Sequence, residues 1–213
     1  TTTVKSPMLW DLDTPNLYTA KTTLIRGDKV LDSYQTTFGI RTIAYGADFG
    51  FKLNGKKTRF KGVCLHHDLG PLGTAVNTRA TERQLEIMQD MGVNAIRTSH
   101  NPPSPEQVQL CDQMGLMIQV EAFDVWQMAK VENDYSKHFD DWHEEDLRDM
   151  IRIFRNSPSV VMWSIGNEIL EQSHNTKGTE IAKKLVAICK DEDTSRPTTA
   201  GFNQYRKPME NGM

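Results

Sequence analysis

The stretch Pro158-Ser-Val-Val-Met-Trp-Ser-Ile-Gly-Asn-Glu168 decides how the rest of the chain reads. Its apolar run, Val160 to Ile165, has the length and composition of a strand buried on both faces. Gly166-Asn167-Glu168 follows at once, so a carboxylate stands where strand gives way to loop. In a barrel of parallel strands, that end carries the chemistry. An Asn directly before such a Glu suits work on a sugar: the amide can hydrogen-bond a hydroxyl while the carboxyl passes a proton to a leaving oxygen. A strand followed by an ordinary polar loop is the plainer alternative.

Working outward, the pattern from Phe51 onward alternates strand and helix. Leu53-Asn54-Gly55-Lys56 marks a tight turn before a strand over Arg59 to Leu65. Thr81 is expected to cap a helix running through Met91, with Leu85 and Met88 on one face and Gly92 ending it. Val93 to Thr98 is the next strand. Ser104-Pro105-Glu106-Gln107 is a capping box with proline at the first helical position; the helix runs to Met114 and Gly115 stops it. Leu116 to Glu121 is a third strand. An insertion from Ala122 to about Phe139 precedes a helix over Asp140 to Arg155, in which Leu147, Met150, Ile151 and Phe154 share a face. The strand at 160–165 leads to a helix carrying Ile181, Leu185 and Ile188, and Pro197 to Gly201 begins a further strand. Such alternation predicts a parallel sheet with helical crossovers. A doubly wound sheet would usually carry a glycine-rich first turn, whereas here the first strand ends in Cys64-Leu65-His66-His67-Asp68. The expected fold is therefore α/β: a partial (β/α)8 TIM barrel with about five strands present.

Residues 1 to about 47 follow a different regime, rich in Thr, Tyr, Ile and Val with period-two alternation. Tyr18 to Ile25 and Val30 to Thr37 read as a hairpin around Arg26-Gly27-Asp28-Lys29, with Phe38 to Tyr45 a further strand or bent continuation. They look like the last strands of a β-sandwich. The division is placed at 1–47 and 48–213. The 213 residues fall short of the roughly 250 of a complete barrel, and the chain reads as a piece of something longer.

Composition excludes several function classes. A net charge of −3 with scattered Lys and Arg offers no basic field for nucleic acid. No apolar run approaches the roughly 20 residues of a membrane span. No signal peptide precedes Thr1, and cytoplasmic and exported settings both stay open. Cys64, Cys111 and Cys189 are far apart, sit in apolar patterns and read as buried free thiols. Met88, Met91, Met114 and Met117 read as core packing. There is no phosphate-cradling glycine loop and no zinc spacing, so no metal and no cofactor is expected.

Polar residues gather at the C-terminal end of each proposed barrel strand: His66-His67-Asp68, then Arg97-Thr98-Ser99-His100-Asn101, then Glu121, Asp124 and Trp126, then Asn167 and Glu168. Their coincidence at one end of four strands is the mark of an active site. Each has a plainer reading. His66 and His67 could be loop histidines, or metal ligands with Asp68. Arg97 could pair with a buried carboxylate, and Glu121 could be its structural partner. Trp126 is either insertion packing or a sugar platform.

A resemblance joins these pieces. Asn54-Gly55-Lys56 followed by Phe60-Lys-Gly-Val-Cys-Leu-His-His67, then Gly92-Val-Asn-Ala-Ile-Arg-Thr-Ser-His-Asn-Pro-Pro103, then Pro158 to Glu168, resembles glycoside hydrolase family 2, which includes β-galactosidases, β-glucuronidases and β-mannosidases. Trp10-x4-Pro15-Asn-Leu-Tyr18 and Phe38-Gly-Ile-Arg41 look like the end of the immunoglobulin-like domain that precedes the family's barrel. By that similarity Glu168 is the general acid/base and Asn167 contacts the hydroxyl next to the anomeric carbon. His66, Arg97 and His100 match positions lining the sugar pocket. Glu121-Ala-Phe-Asp124-Val-Trp126 resembles β-galactosidase-like members, which makes Asp124 a sugar contact. The resemblance implies a retaining enzyme that removes terminal non-reducing β-D-galactose from a glycoside or oligosaccharide. The nucleophilic Glu belongs on a later strand and is expected outside this chain, which ends 45 residues after Glu168. The magnesium-binding Glu-x-His of some members is replaced by Asp124-Val125-Trp126. The rivals are a β-glucuronidase of the same family, which would need cationic contacts to the sugar carboxylate, and a non-catalytic carbohydrate-binding module. A barrel open at its edges also favours homo-oligomers.

Overall fold

The computed structural model describes residues 3–173 and 175–204; the tail Arg206 to Met213, where no further barrel strand is expected, lies outside them. Strands β1 (Tyr18–Arg26) and β2 (Lys29–Phe38) form an antiparallel hairpin closed over Gly27-Asp28. Phe38 does not continue into the next strand. The chain turns away at Gly39, and β3 (Ile43–Gly46), β4 (Gly50–Leu53) and the two-residue β5 (Lys56–Lys57) make a separate three-stranded sheet. The division expected after residue 47 falls in the turn of its first hairpin.

The barrel portion is a parallel sheet of five strands: β6 (Gly62–His66), β7 (Ala95–Ser99), β8 (Met117–Glu121), β9 (Val160–Asn167) and β10 (Thr198–Gly201), paired in chain order. Four helices connect them: α1 (Thr78–Asp90), α2 (Pro105–Met114), α3 (Ser136–Phe154) and α4 (Asn175–Glu192). Each strand and helix expected from the alternation is present, with ends shifted by a few residues.

The caps follow local chemistry. Ser104 begins α2 by accepting the backbone N–H of Gln107, with Pro105 at the first position. Gly115 ends it in the left-handed region at φ 73°, where a Cβ would also strike the carbonyl of Leu12. The cap of α1 is Asn77 rather than Thr81: the Asn77 side chain accepts from the Ala80 N–H. Thr81 sits buried inside the first turn and donates its hydroxyl to the Asn77 carbonyl. A hydroxyl in that place satisfies itself against the preceding turn instead of starting the helix.

Two apolar clusters hold the sheet. The larger lies between strands and helices, with Ile96, Ile118, Val120, Trp163 and Ile165 against Val108, Cys111, Leu147, Ile151, Leu185 and Ile188. The smaller closes the N-terminal end of the strands. There Trp10, Phe51 and Leu53 meet Ala95, Met117 and Val161 at or near the starts of β7, β8 and β9. Polar bonds fasten the same end: Trp10 Nε1 donates to the Asp112 carbonyl at 2.8 Å, Tyr45 Oη to Val161 at 2.9 Å, and Arg41 to Pro158 and Val160. Two readings of apolar pattern are corrected here. Cys64 is exposed, because it lies on β6 facing the concave side of the open sheet. Met91 is also exposed, because it follows the last turn of α1, past the face that packs.

Asp193, in the connection from α4 to β10, ties the outer layer together. Its buried carboxylate accepts from Arg196 at 2.6 Å, Trp163 Nε1 at 2.9 Å, and the Ser195 N–H and hydroxyl at 2.8 and 2.6 Å. Desolvation would raise its pKa. The Ser195 bond and the Arg196 charge and bond outweigh it and hold the group at about 2. A depressed folded-state value stabilises the fold above the ordinary carboxylate range, by about 2 kcal/mol here, and that stability fades as pH falls from about 4 towards 2. Asp193→Asn should therefore cost about 2 kcal/mol or more at pH 7, and the gap to the parent should close towards pH 2. Denaturant melts across that pH range check it.

Candidate active site

The C-terminal ends of β6 to β10 lie side by side, and the expected site residues project from them. At their centre is Glu121, the last residue of β8 and wholly buried. Arg97, from β7, donates through Nε at 3.0 Å and through Nη2 at 2.8 and 3.0 Å to its two oxygens. His100 Nδ1 lies 2.6 Å from Glu121 Oε1, and Ser164 on β9 donates its hydroxyl to Oε2 at 2.6 Å. A carboxylate taken fully out of water is tolerated when its lone pairs are filled in this way. Burial alone would lower the Arg97 pKa, but its bonds and charge interaction with Glu121 raise it. Since a carboxylate only accepts, the His100 proton is assigned to Nδ1, which leaves Nε2 for other partners. The ring of His66 meets that of His100 edge-on, 5.2 Å between centroids, and His66 itself is exposed. The Ser99–His100 peptide is cis.

Asn167, the last residue of β9, is held from two sides. Its Oδ1 accepts from Arg97 Nη2 at 2.8 Å and its Nδ2 donates to Asp124 Oδ1 at 2.9 Å. A donor on one side and an acceptor on the other fix which way the amide points. Asp124 is in turn met by Lys130 Nζ at 2.8 Å. Partial burial would raise the Asp124 pKa. The bonds from Lys130 and Asn167 and the charges of Lys130 and His100 outweigh this and keep the carboxyl below the usual range.

Glu168 differs from all of these. It is exposed, and among the described residues no hydrogen bond or ion pair engages its carboxyl. Its backbone is constrained instead: φ is 44°, in the left-handed region that non-glycine residues seldom enter, and its N–H donates to the Gly201 carbonyl at 2.5 Å. Gly201 has no side chain to obstruct this; a Cβ there would lie 2.6 Å from Arg97 Nη2.

Of the two readings open for Trp126, the geometry fits insertion packing. The residue offers no open platform: the indole is wholly buried, donates Nε1 to the Ile165 carbonyl at 2.7 Å and lies against Gly166. Packing among Phe123, Tyr135 and Phe139 holds this stretch of the insertion inward. The structure thus brings Arg97, His100, Asp124 and Asn167 together around Glu121, sets His66 against His100, and places Glu168 beside Asn167. Among the described residues, no group of three His, Cys, Asp or Glu could hold a metal ion. Sequence reasoning missed Lys130, which lies in an irregular loop with no motif around it, and the Ser164 contact to Glu121.

Comparison with known proteins adds to this geometry. The family model described as "Glycosyl hydrolases family 2, TIM barrel domain" matches residues 35–209, and "Glycosyl hydrolases family 2" matches residues 1–41. The chain is 47% identical to "Beta-galactosidase BoGH2A" of Bacteroides ovatus, over 95% of this chain and 27% of that protein. It is 32% identical to a "Beta-glucuronidase" of Bacteroides fragilis, over 94% of this chain and 29% of that protein. A crystal structure of a glycosyl hydrolase family 2 member from Bacteroides cellulosilyticus superposes with a TM-score of 0.91 at 41% identity, covering 97% of this chain and 27% of that one. The chain thus spans about a quarter of the length of these relatives. With both family models matched along its length and the five-stranded barrel sheet in place, it belongs to glycosyl hydrolase family 2.

Proposed function

We propose that the protein containing this chain is a retaining exo-acting β-glycosidase that removes terminal β-D-galactose, with Glu168 as its general acid/base. The observation that carries this reading is the contrast at the strand ends. Glu168 presents an exposed carboxyl, unbonded among the described residues, on a fixed backbone, directly after an Asn whose amide is locked in orientation. In the first step Glu168 protonates the glycosidic oxygen as the bond to the anomeric carbon breaks; in the second it takes a proton from the incoming water. Asn167 has a second N–H and a second lone pair beyond those used by Asp124 and Arg97, and offers them to the sugar 2-hydroxyl. His66, His100 Nε2 and the remaining oxygen of Asp124 contact other hydroxyls of the same ring. Arg97 shapes the pocket by holding Glu121 and Asn167. The attacking carboxylate is a different group from Glu121, whose oxygens are committed to Arg97, His100 and Ser164. The substrate is a glycoside or oligosaccharide.

A galactoside is favoured over a uronide by the state of the local cations. Recognition of a sugar carboxylate calls for donors left available to it. Lys130 spends its three N–H bonds on the Asp124 carboxylate and on the Asp124 and Asn167 carbonyls. Arg97 is engaged with Glu121, Asn167 and Cys64. Asp124 adds a negative charge that would repel a uronate. The similarity to a β-galactosidase at 47% identity supports the same choice. The β-glucuronidase relatives supply the rival.

Two experiments on the complete polypeptide that carries this chain test the reading. Across a panel of aryl β-glycosides, the β-galactoside should be turned over best. In Glu168→Ala its kcat should fall by about 100-fold or more, and azide, a nucleophile needing no general base, should restore part of it. A folded protein that turns over none of the glycosides would point to a binding module, and preference for the glucuronide would favour the rival. Secondly, Asn167→Ala should lower kcat/KM for the galactoside by about 10- to 1000-fold. Against the 2-deoxygalactoside the same substitution should cost far less, because the bond it removes has no partner there.

A further inference from the structure

Lys130 stands out because its side chain reaches from the long β8–α3 loop to the carbonyl of the peptide in front of Glu168. Its ammonium donates to the Asn167 carbonyl at 2.8 Å, to Asp124 Oδ1 at 2.8 Å and to the Asp124 carbonyl at 2.9 Å. The Asn167–Glu168 peptide is therefore gripped at both ends: Lys130 holds its carbonyl, and the Gly201 carbonyl takes its N–H. The loop that delivers Lys130 is itself fastened. The Lys130 and Val131 N–H groups donate to Asp134 Oδ2 at 2.7 and 3.0 Å, and the Met128 N–H donates to the wholly buried Glu171 at 2.7 Å.

We propose that Lys130 is a positioning residue for the acid/base step: by fixing the peptide that carries Glu168, it sets where the Glu168 carboxyl meets the leaving oxygen. The inference rests on the acid/base reading of Glu168 given above. A side chain with no bonds of its own takes its position from its backbone, and proton transfer demands hydrogen-bond reach to the leaving oxygen. Lys130 acts on that reach without touching the substrate. Asp124 is also held by Asn167 Nδ2 at 2.9 Å, so its place beside Asn167 does not rest on Lys130 alone.

A staple that merely kept the loop folded would affect every substrate alike. Misplacement of a proton donor would not. A leaving group that departs readily without protonation, such as 2,4-dinitrophenolate, scarcely needs the acid, whereas an alkoxide needs it fully. In the complete polypeptide, kcat/KM for an alkyl β-galactoside (or the alkyl glycoside of whichever sugar the panel selects) should fall about 10- to 100-fold in Lys130→Met, while that for the 2,4-dinitrophenyl glycoside stays within about threefold. Lys130→Gln, which keeps two donors without the charge, serves if Lys130→Met does not fold, and should show a smaller split of the same sign. Glu168→Ala is run beside them as the reference for a lost acid. If it shows the split and both Lys130 variants lose the two substrates equally, or lose neither, Lys130 is no more than a structural tie and the inference falls. If Glu168→Ala itself shows no split, the acid/base reading fails, and the inference fails with it.

Discussion

The structure of the site depends on one buried charge. Glu121 sits at the end of β8 with no exposure to solvent, and its oxygens are filled by Arg97, His100 and Ser164. These residues come from within β7 and β9 and from the loop after β7, so a single carboxylate ties together three neighbouring strands. Its desolvation cost is repaid only while every partner stays in place, and removing one from such a pair typically costs about 3–5 kcal/mol. That makes the arrangement intolerant of small displacements. Arg97 cannot shift without also releasing Asn167, and Asn167 cannot turn without losing Asp124. The proposed reading of hydroxyl placement on a sugar calls for this kind of rigidity.

The opposite end of the sheet is built from different chemistry. There Trp10, Phe51 and Leu53 close the barrel floor by apolar burial, and Arg41 and Tyr45 bond to backbone carbonyls at the start of β9. Residues from the N-terminal β segment thus serve stability at the bottom of the strands, while the charged network serves the site at the top. The separation follows from direction in a parallel sheet: the strand ends that open into the longer loops can be varied without breaking the floor.

Much of this was legible in the sequence, for identifiable reasons. The alternation from Phe51 onward predicted the parallel sheet because crossover helices leave a period that strands do not share, and Ser104 and Gly115 marked the ends of α2 by local bonds alone. Clustering of polar residues at strand ends pointed to side chains that the fold does bring together, since strand direction and end follow from the order of elements. What the sequence left open or misread depended on distant contacts. Trp126 could be platform or packing until the aromatic neighbours Phe123 and Phe139 fixed its side. Cys64 and Met91 lay in apolar patterns, but the pattern does not say whether a neighbouring element arrives to cover them. Thr81 and Asn77 compete for the same cap within five residues, and the winner depends on where the preceding loop enters. Lys130 had no signal at all: a lysine in an irregular loop gains meaning only when folding brings it to the Asn167 carbonyl.

In the proposed mechanism Glu121 and Glu168, at the ends of the neighbouring strands β8 and β9, are carboxylates with opposite roles. A structural carboxylate does best with filled lone pairs, and Glu121 has them. A group that must give up and regain a proton in each cycle cannot be tied to strong fixed donors, because they would hold it in its charged form. Its side chain must stay unpartnered, yet it must also be well placed. For Glu168 the fold meets both demands by moving the restraint to the backbone: a left-handed φ, an N–H bonded to Gly201, and a preceding carbonyl bonded to Lys130. In the proposed mechanism the carboxyl is thereby positioned by bonds it does not itself make, and its protonation is left to respond to the substrate and to the attacking carboxylate.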